Sequence, residues 1–140
     1  IVGESGSGKS TLARVIAGEM LGAKGPARTF TPVNVWDVRL NRDADLTLPL
    51  PEGHTAMLVV LGGHVTVNGG EGVQEAEMLL LSREGDAVRV HADGDALLLV
   101  LTGEPINEPI VGYGPFVMNS EAEIRTAIDD YNSGRFARTA

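Results

Sequence analysis

The feature that most constrains the fold is a succession of short apolar runs between residues 33 and 103, each ended by turn residues. Turns such as Asn68-Gly69-Gly70 contain glycine, which supplies the positive φ angles that tight connections need. The runs predict strands at 33–40, 46–50, 55–61, 64–67, 77–81, 87–91 and 96–102. Strands this short and this closely spaced predict an all-β sandwich or small barrel. The runs at 79–81 and 97–101 are apolar throughout, so we expect those strands to be covered on both faces.

The C-terminal segment predicts one α-helix. Ser120 and Glu123 have the spacing of a capping box, which satisfies free N–H groups at a helix start. An apolar stripe follows at helical spacing, formed by Ile124, Ala127, Ile128 and Tyr131. Gly134 is suited to end the helix.

Charge and composition exclude several classes of function. The net charge is −8 and the 11 basic residues are scattered, so we expect no direct nucleic-acid binding and no adhesion to membranes. The chain has no cysteine, which excludes disulfides, a thiolate zinc site and a cysteine nucleophile. No apolar run approaches the roughly 20 residues of a membrane span, and the first residues do not resemble a signal peptide. We therefore expect a cytoplasmic protein.

Three segments carry a family pattern: PVNVWDVRL at 32–40, LPLPEGH at 48–54, and the tail 103–136 with EPIV at 108–111 and GPFVMN at 114–119. These segments resemble the pirin family, and they match the second of its two cupin barrels. The resemblance implies a cupin (RmlC-like) antiparallel β-barrel or jelly roll with a C-terminal α-helix. It predicts that residues 14–140 form a pirin C-terminal cupin domain.

The same resemblance bears on metal and catalysis. It implies an iron held by three histidines and one glutamate in the N-terminal barrel, to which the family's quercetin 2,3-dioxygenase reaction and redox-linked transcriptional co-regulation are tied. In this chain the first cupin metal motif falls on Pro49, Pro51 and Thr55, or in alternative registers on Leu48, Leu50 and Ala56, and the histidine of the second motif falls on Ala96. The three histidines, His54, His64 and His91, have no partner at H-x-H or H-x3-H spacing. We expect no metal ligand, catalytic residue or cofactor in this chain, and iron only in the N-terminal domain.

The first residues pose a separate question. Residues 3–10 match G-x4-G-K-[ST] in full and resemble the Walker A segment of an ABC-type transporter ATPase. The candidate nucleotide-binding residues are Gly3, Gly8, Lys9 and Ser10, with Lys9 reaching phosphates and Ser10 binding Mg²⁺. Only Ile1 and Val2 precede the loop, and no Walker B strand follows. We expect residues 1–13 to be a flexible leader. Residues 14–19 suit a helix in this interpretation and a strand in the cupin one, and the β-rich body favours the strand.

Three functions remain open. The chain is a non-catalytic, metal-free module that binds a protein partner or forms a homodimer, and the domain alone takes no small-molecule substrate. Alternatively, it is part of an iron-dependent pirin with quercetin 2,3-dioxygenase-type activity whose metal site lies in the N-terminal domain. A P-loop ATP-binding protein is the third hypothesis.

Overall fold

The computed structural model describes residues 2–4 and 10–136. Contacts divide the chain into two compact units, one ending at Pro105 and one beginning at Ile106. In chain order the elements are β1 (Val2–Glu4), β2 (Ser10–Ala17), β3 (Glu19–Met20), β4 (Ala23–Lys24), β5 (Val33–Leu40), β6 (Asp45–Pro49), β7 (Thr55–Gly62), β8 (His64–Val67), β9 (Glu71–Gln74), β10 (Met78–Leu80), β11 (Ala87–Ala92), β12 (Ala96–Gly103), β13 (Val111–Tyr113), β14 (Phe116–Met118) and α1 (Glu121–Asn132).

Two large antiparallel sheets dominate the first unit, which also contains the two-stranded sheet β3-β4. The larger sheet has the order β1-β2-β5-β12-β7-β10, and the smaller has the order β6-β11-β8-β9. Non-sequential neighbours such as β5 and β12 mean that the chain crosses between sheets, as a jelly roll requires. The all-β cupin barrel with a C-terminal helix is therefore confirmed.

Side-chain alternation places the core between the two sheets. Along β12, Leu98 and Val100 are fully buried, whereas Leu97, Leu99 and Leu101 on the opposite face are half-buried. Buried residues of the smaller sheet, among them Val65 and Val90, belong to the same apolar cluster. Because each fully buried aliphatic side chain contributes roughly 1.5–3 kcal/mol, this shared layer is the main source of stability.

Turn residues set the strand connections. Asn68 and Gly69 have φ of 50° and 72°, the positive values that hairpin turns require, and together with Gly70 they join β8 to β9. Gly63 has φ of 83° between β7 and β8, and a Cβ there would overlap the carbonyl oxygen of Asp95. Both positions therefore require backbone conformations that glycine or asparagine adopts most easily.

The predicted strands agree with the structure to within one residue at most ends, and β5 and β8 have the predicted bounds. The secondary structure near the N-terminus differs from the prediction. Residues 10–13, assigned to the leader, are part of β2, so the predicted boundary before residue 14 falls inside a strand. The strand interpretation of residues 14–17 is confirmed, because β2 pairs with β5 from Thr11 to Ala17.

The second unit contains β13, β14 and α1. Ser120 is the N-cap, as predicted: its hydroxyl accepts the Glu123 N–H at 3.3 Å and donates to the Glu123 carboxylate at 3.0 Å. The backbone N–H that the Glu123 carboxylate accepts is that of Asn119, one residue before the N-cap. Of the predicted stripe, Ile124 and Ala127 are buried, whereas Tyr131 is 67% exposed with its ring edge-on to Phe116. The helix ends at Asn132, and Gly134 follows the cap with φ of 68°, as predicted.

Candidate functional site

The Walker A match lies in a context that cannot form a P-loop. Gly3 is in β1 and Ser10 begins β2, and these two strands pair antiparallel, with Glu4 opposite Ser10. A P-loop requires a helix to start at the Lys-Ser pair, so that its N–H groups and dipole face the phosphates. Gly8 and Lys9 lie outside the described residues. The resemblance to an ATPase segment is therefore wrong at the level of local structure, because the chain from Ser10 onward is a strand.

The positions of the cupin metal motif hold side chains that cannot bind iron. Pro49 is at the end of β6, Thr55 begins β7 and the buried Ala96 begins β12. Proline and alanine have no donor atom, and a lone threonine hydroxyl is a poor ligand for a transition metal. Within residues 2–4 and 10–136, no group of three or more His, Cys, Asp or Glu side chains could hold a metal ion. These residues do not fit the family's iron.

Two of the three histidines meet at a carboxylate that sequence reasoning missed. His64, at the start of β8, donates from Nδ1 to Asp93 in the turn after β11. His91 in β11 has Nδ1 at 2.8 Å from Asp45 and Nε2 at 3.9 Å from Asp93. Asp93 thus links two histidines that are 27 positions apart in sequence, on the outer face of the smaller sheet. In the sequence, the segment Asp93-Gly94-Asp95 indicated only a turn, and it gave no sign that Asp93 binds the histidines.

The hydrogen bond from His64 lowers the pKa of the Asp93 carboxyl below its usual value of 3.8, and Thr66 donates a second one. A carboxyl whose pKa is lower in the folded chain stabilises the fold above the unfolded pKa. That contribution is lost as the pH falls through the folded value. The cluster is exposed, with His64 at 48% and Asp93 at 43%, so we regard it as structural.

This shift predicts an acid-dependent stability. Between about pH 5 and pH 2, the free energy of unfolding should fall more steeply in the natural chain than in Asp93→Asn, because asparagine does not titrate. Urea denaturation at several pH values measures the slope. Asp86→Asn, in the exposed turn before β11, is the control and should leave the slope unchanged. Equal slopes for Asp93→Asn and the natural chain would contradict the assignment.

The outer face of the larger sheet carries an apolar surface. We call it the apolar sheet face and define it by the outward side chains of four adjacent strands: Val35, Met57, Val59, Met78, Leu80, Leu97, Leu99 and Leu101. Strand register makes it continuous, since Leu101 lies between Val35 and Met57, and Leu99 lies beside Val59. Met78 and Leu80 are 59% and 61% exposed. The prediction that strand 79–81 is covered on both faces is therefore not met by the described residues.

Charged residues border this surface along β5 and β2. Asp37 and Arg39 in β5 form an ion pair at 3.9 Å, and Arg14 in β2 lies opposite Asp37 in the register. On the next two strands, β12 and the part of β7 from Met57 to Gly62, the outward residues are all apolar or glycine. An apolar centre with a polar border is the usual composition of a protein–protein interface.

The two facing sheets and the crossed strand order define the protein class as a cupin barrel. Residues 35–137 match the family model of the pirin C-terminal cupin domain. The chain belongs to the pirin family, and this part of it is the C-terminal cupin domain.

Relatives agree with this assignment. The chain is 51% identical over 125 residues to a Pseudomonas aeruginosa protein named "Putative quercetin 2,3-dioxygenase", covering 89% of this chain and 43% of that protein. It is 50% identical, with a TM-score of 0.86, to the crystal structure of a quercetin 2,3-dioxygenase from Acinetobacter baumannii, covering 95% of this chain and 46% of the other. An Escherichia coli pirin solved with nickel(II) is 18% identical with a TM-score of 0.56, covers 67% of this chain and 40% of that one, and shows the fold alone. The chain spans less than half the length of these proteins.

Among the described residues, no helix is both long and apolar enough to cross a membrane.

Proposed function

We propose that this chain is a metal-free cupin module whose function is to bind a protein through the apolar sheet face. The observation that supports the proposal is the face itself, with eight outward apolar side chains on four adjacent strands. Soluble monomers rarely leave a contiguous apolar patch of more than a few hundred Å² exposed. The outward positions of β12 are all apolar, which a solvated strand would not need.

The partner of this chain by itself is a second copy. A flat sheet face without a deep pocket suits a partner with a similar face, and two identical faces related by a two-fold axis satisfy each other. The net charge of −8 disfavours larger aggregates through mutual repulsion, so the assembly should stop at the dimer. In the longer relatives, more than half of the protein lies outside the matched region, and that part is a further candidate to cover the same face.

Molar mass tests this proposal directly. Light scattering on the natural chain at micromolar concentration should give about twice 14.7 kDa. The mass should fall on dilution, because the interface is one sheet face and not an interwoven core. A mass of 14.7 kDa at all concentrations up to the millimolar range would refute the dimer.

An alternative function has support from the names of relatives. If this domain contributed to quercetin 2,3-dioxygenase-type chemistry, iron in the N-terminal domain would supply the oxygen chemistry, and this chain would supply only a supporting surface. The residues at the motif positions, Pro49, Thr55 and Ala96, argue against iron bound within this domain. ATP binding has no supporting observation, because Ser10 begins a strand.

Metal content distinguishes the module from the enzyme. We expect less than about 0.1 iron per chain in purified protein, because structural and catalytic sites need three or four ligand side chains in one place. Elemental analysis after incubation with Fe²⁺ and gel filtration gives the ratio, and an assay of quercetin consumption under oxygen should show no turnover. Near-stoichiometric iron, or quercetin turnover that follows iron content, would favour the enzyme.

A further inference from the structure

One end of the barrel contains a cavity that the sequence did not predict. It has a volume of about 360 Å³ and lies where β6 leads into β7 and β10 leads into β11. Its apolar walls come from both sheets and consist of Leu50, Ala56, Val67, Leu79, Leu81 and Val88. Three of these, Leu50, Leu79 and Leu81, also pack against the core cluster, so the cavity floor is continuous with the core. The cavity is distinct from the apolar sheet face, which lies on the outside of the larger sheet.

The rim of the cavity is polar and carries one cation. Ser82, Arg83 and Glu84 form the turn between β10 and β11 and line the opening. Arg83 has no ion pair among the residues that the structure describes, Glu84 included. Asn68 lines the rim from the β8–β9 turn, and its side-chain oxygen accepts the Arg89 N–H at 3.0 Å. The amide NH₂ of Asn68 is thereby left as a donor. Arg83 and Asn68 thus offer side-chain donors against the single carboxylate of Glu84. His54 also lines the cavity, and its buried Nδ1 has no hydrogen-bond partner among the described residues.

We propose that this cavity binds a small organic monocarboxylate with an aromatic or branched apolar body. The body would contact the leucines of the floor, and the carboxylate would bind the Arg83 guanidinium at the rim. A volume of 360 Å³ is at the lower end of the range for small-molecule sites, which limits the ligand to one or two rings. Arginine binds a carboxylate through two parallel N–H donors, a geometry that lysine cannot provide. Glu84 disfavours a second negative charge on the ligand.

We propose binding and not catalysis, because no hydrogen bond joins Ser82 and His54, the hydroxyl and the imidazole among the lining residues. The sequence predicted that this domain alone takes no small-molecule substrate. The proposed ligand is bound without being a substrate. The inference is independent of the proposed function, since the residues of the two surfaces are different except for Leu80, which borders both.

The test uses 1-naphthylacetate as the probe, with 1-naphthaleneethanol as a neutral compound and 1-naphthylmethylamine as a cationic one on the same ring. Each is titrated into ¹⁵N-labelled protein and followed by NMR. We expect backbone shifts confined to residues 50–56, 67–70 and 79–88. The carboxylate should bind at least about tenfold more tightly than the alcohol, as a charge-assisted hydrogen bond predicts.

Two variants and one control locate the site. Arg83→Gln should weaken 1-naphthylacetate binding about tenfold and leave the alcohol within about twofold. Ala87→Trp should reduce the binding of both, because Ala87 lines the cavity and is exposed at its mouth. Arg42→Gln removes an exposed arginine that does not line the cavity and should change nothing. Dispersed NMR spectra check that each variant is folded.

Several outcomes would overturn the inference. One is the absence of shifts around the cavity up to about 10 mM probe. Another is equal or tighter binding of the alcohol or the amine. If neither Arg83→Gln nor Ala87→Trp weakens binding, the probe binds elsewhere on the protein and only adventitiously. None of these outcomes changes the mass measurement, so failure here is distinguishable from failure of the proposed dimer.

Discussion

Replacing Leu101 by lysine is expected to convert the dimer to a monomer, with the light-scattering mass falling from about twice 14.7 kDa to 14.7 kDa. Leu101 lies within the apolar sheet face, between Val35 and Met57 in the register. In a dimer the lysine ammonium would be buried against apolar side chains on the two-fold related copy, without a partner for its charge. In the monomer the same side chain reaches water along its flexible stem. We expect the dimer dissociation constant to rise at least about 100-fold, or about 2.7 kcal/mol.

The matched control is Thr47→Lys. Thr47 is exposed on β6 of the smaller sheet, opposite Arg89, so this variant adds the same charge to a different sheet. Its mass should remain that of the dimer, and both variants should keep the circular dichroism spectrum of the natural chain. If Leu101→Lys stays dimeric, the apolar sheet face is not the interface. If Thr47→Lys also dissociates, net charge and not the face controls association.

Replacing Trp36 by alanine is expected to cause the largest loss of stability of any single change proposed for this chain, about 3–5 kcal/mol. Trp36 is 1% exposed in β5 and lies between Val15 of β2 and Val100 of β12. It is the only tryptophan in the chain, so no other indole is present to fill the space that the alanine variant would leave. Since small domains have about 5–15 kcal/mol in total, this variant should be close to unfolding at 37 °C. Urea denaturation followed by far-ultraviolet circular dichroism measures the loss.

Trp36→Phe separates ring volume from the polar N–H. The indole Nε1 is buried and has no hydrogen-bond partner among the described residues. Leaving such a donor unpaired costs about 1–3 kcal/mol, so removing it offsets part of the lost packing. We expect Trp36→Phe to cost less than half of what Trp36→Ala costs. An equal cost for both variants would mean that the N–H is satisfied in solution.

Local sequence was sufficient for most strands and for the helix. β5 and β8 begin and end as predicted, because their apolar runs are flanked by turn residues that break the pattern on both sides. The second strand of the β8–β9 hairpin was missed, although the Asn68-Gly69 turn was recognised. β9 has the sequence EGVQ, in which Val73 is the only apolar residue and points into the core. With one apolar position in four, no period-2 pattern exists to detect.

The candidate surfaces were less predictable than the strands. The apolar run at 97–101 predicted a strand covered on both faces, and in the structure the outward leucines of β12 are half-buried. Only the strand order shows that these residues continue onto β7 and β10. The cavity combines Leu50, Val67 and Leu81, which are distant in sequence, and nothing in local spacing links them. Asp130 lies near the C-terminal end of α1, where the helix dipole disfavours an anion. In the structure it binds Arg135 at 3.0 Å, just beyond the end of α1.

The sequence by itself determined the all-β class, the helix with its capping box and the pirin resemblance, because each depends on neighbours within about ten positions. Tertiary structure decided the state of residues 11–17, of which residues 14–17 suit a helix in one template and a strand in the other. Their backbone pairs with β5 across residues 35–40, and that ladder exists only after the chain has folded back on itself. Where local preferences are nearly balanced, the hydrogen bonds of a preformed sheet and the burial of Ala13 and Ala17 decide the outcome.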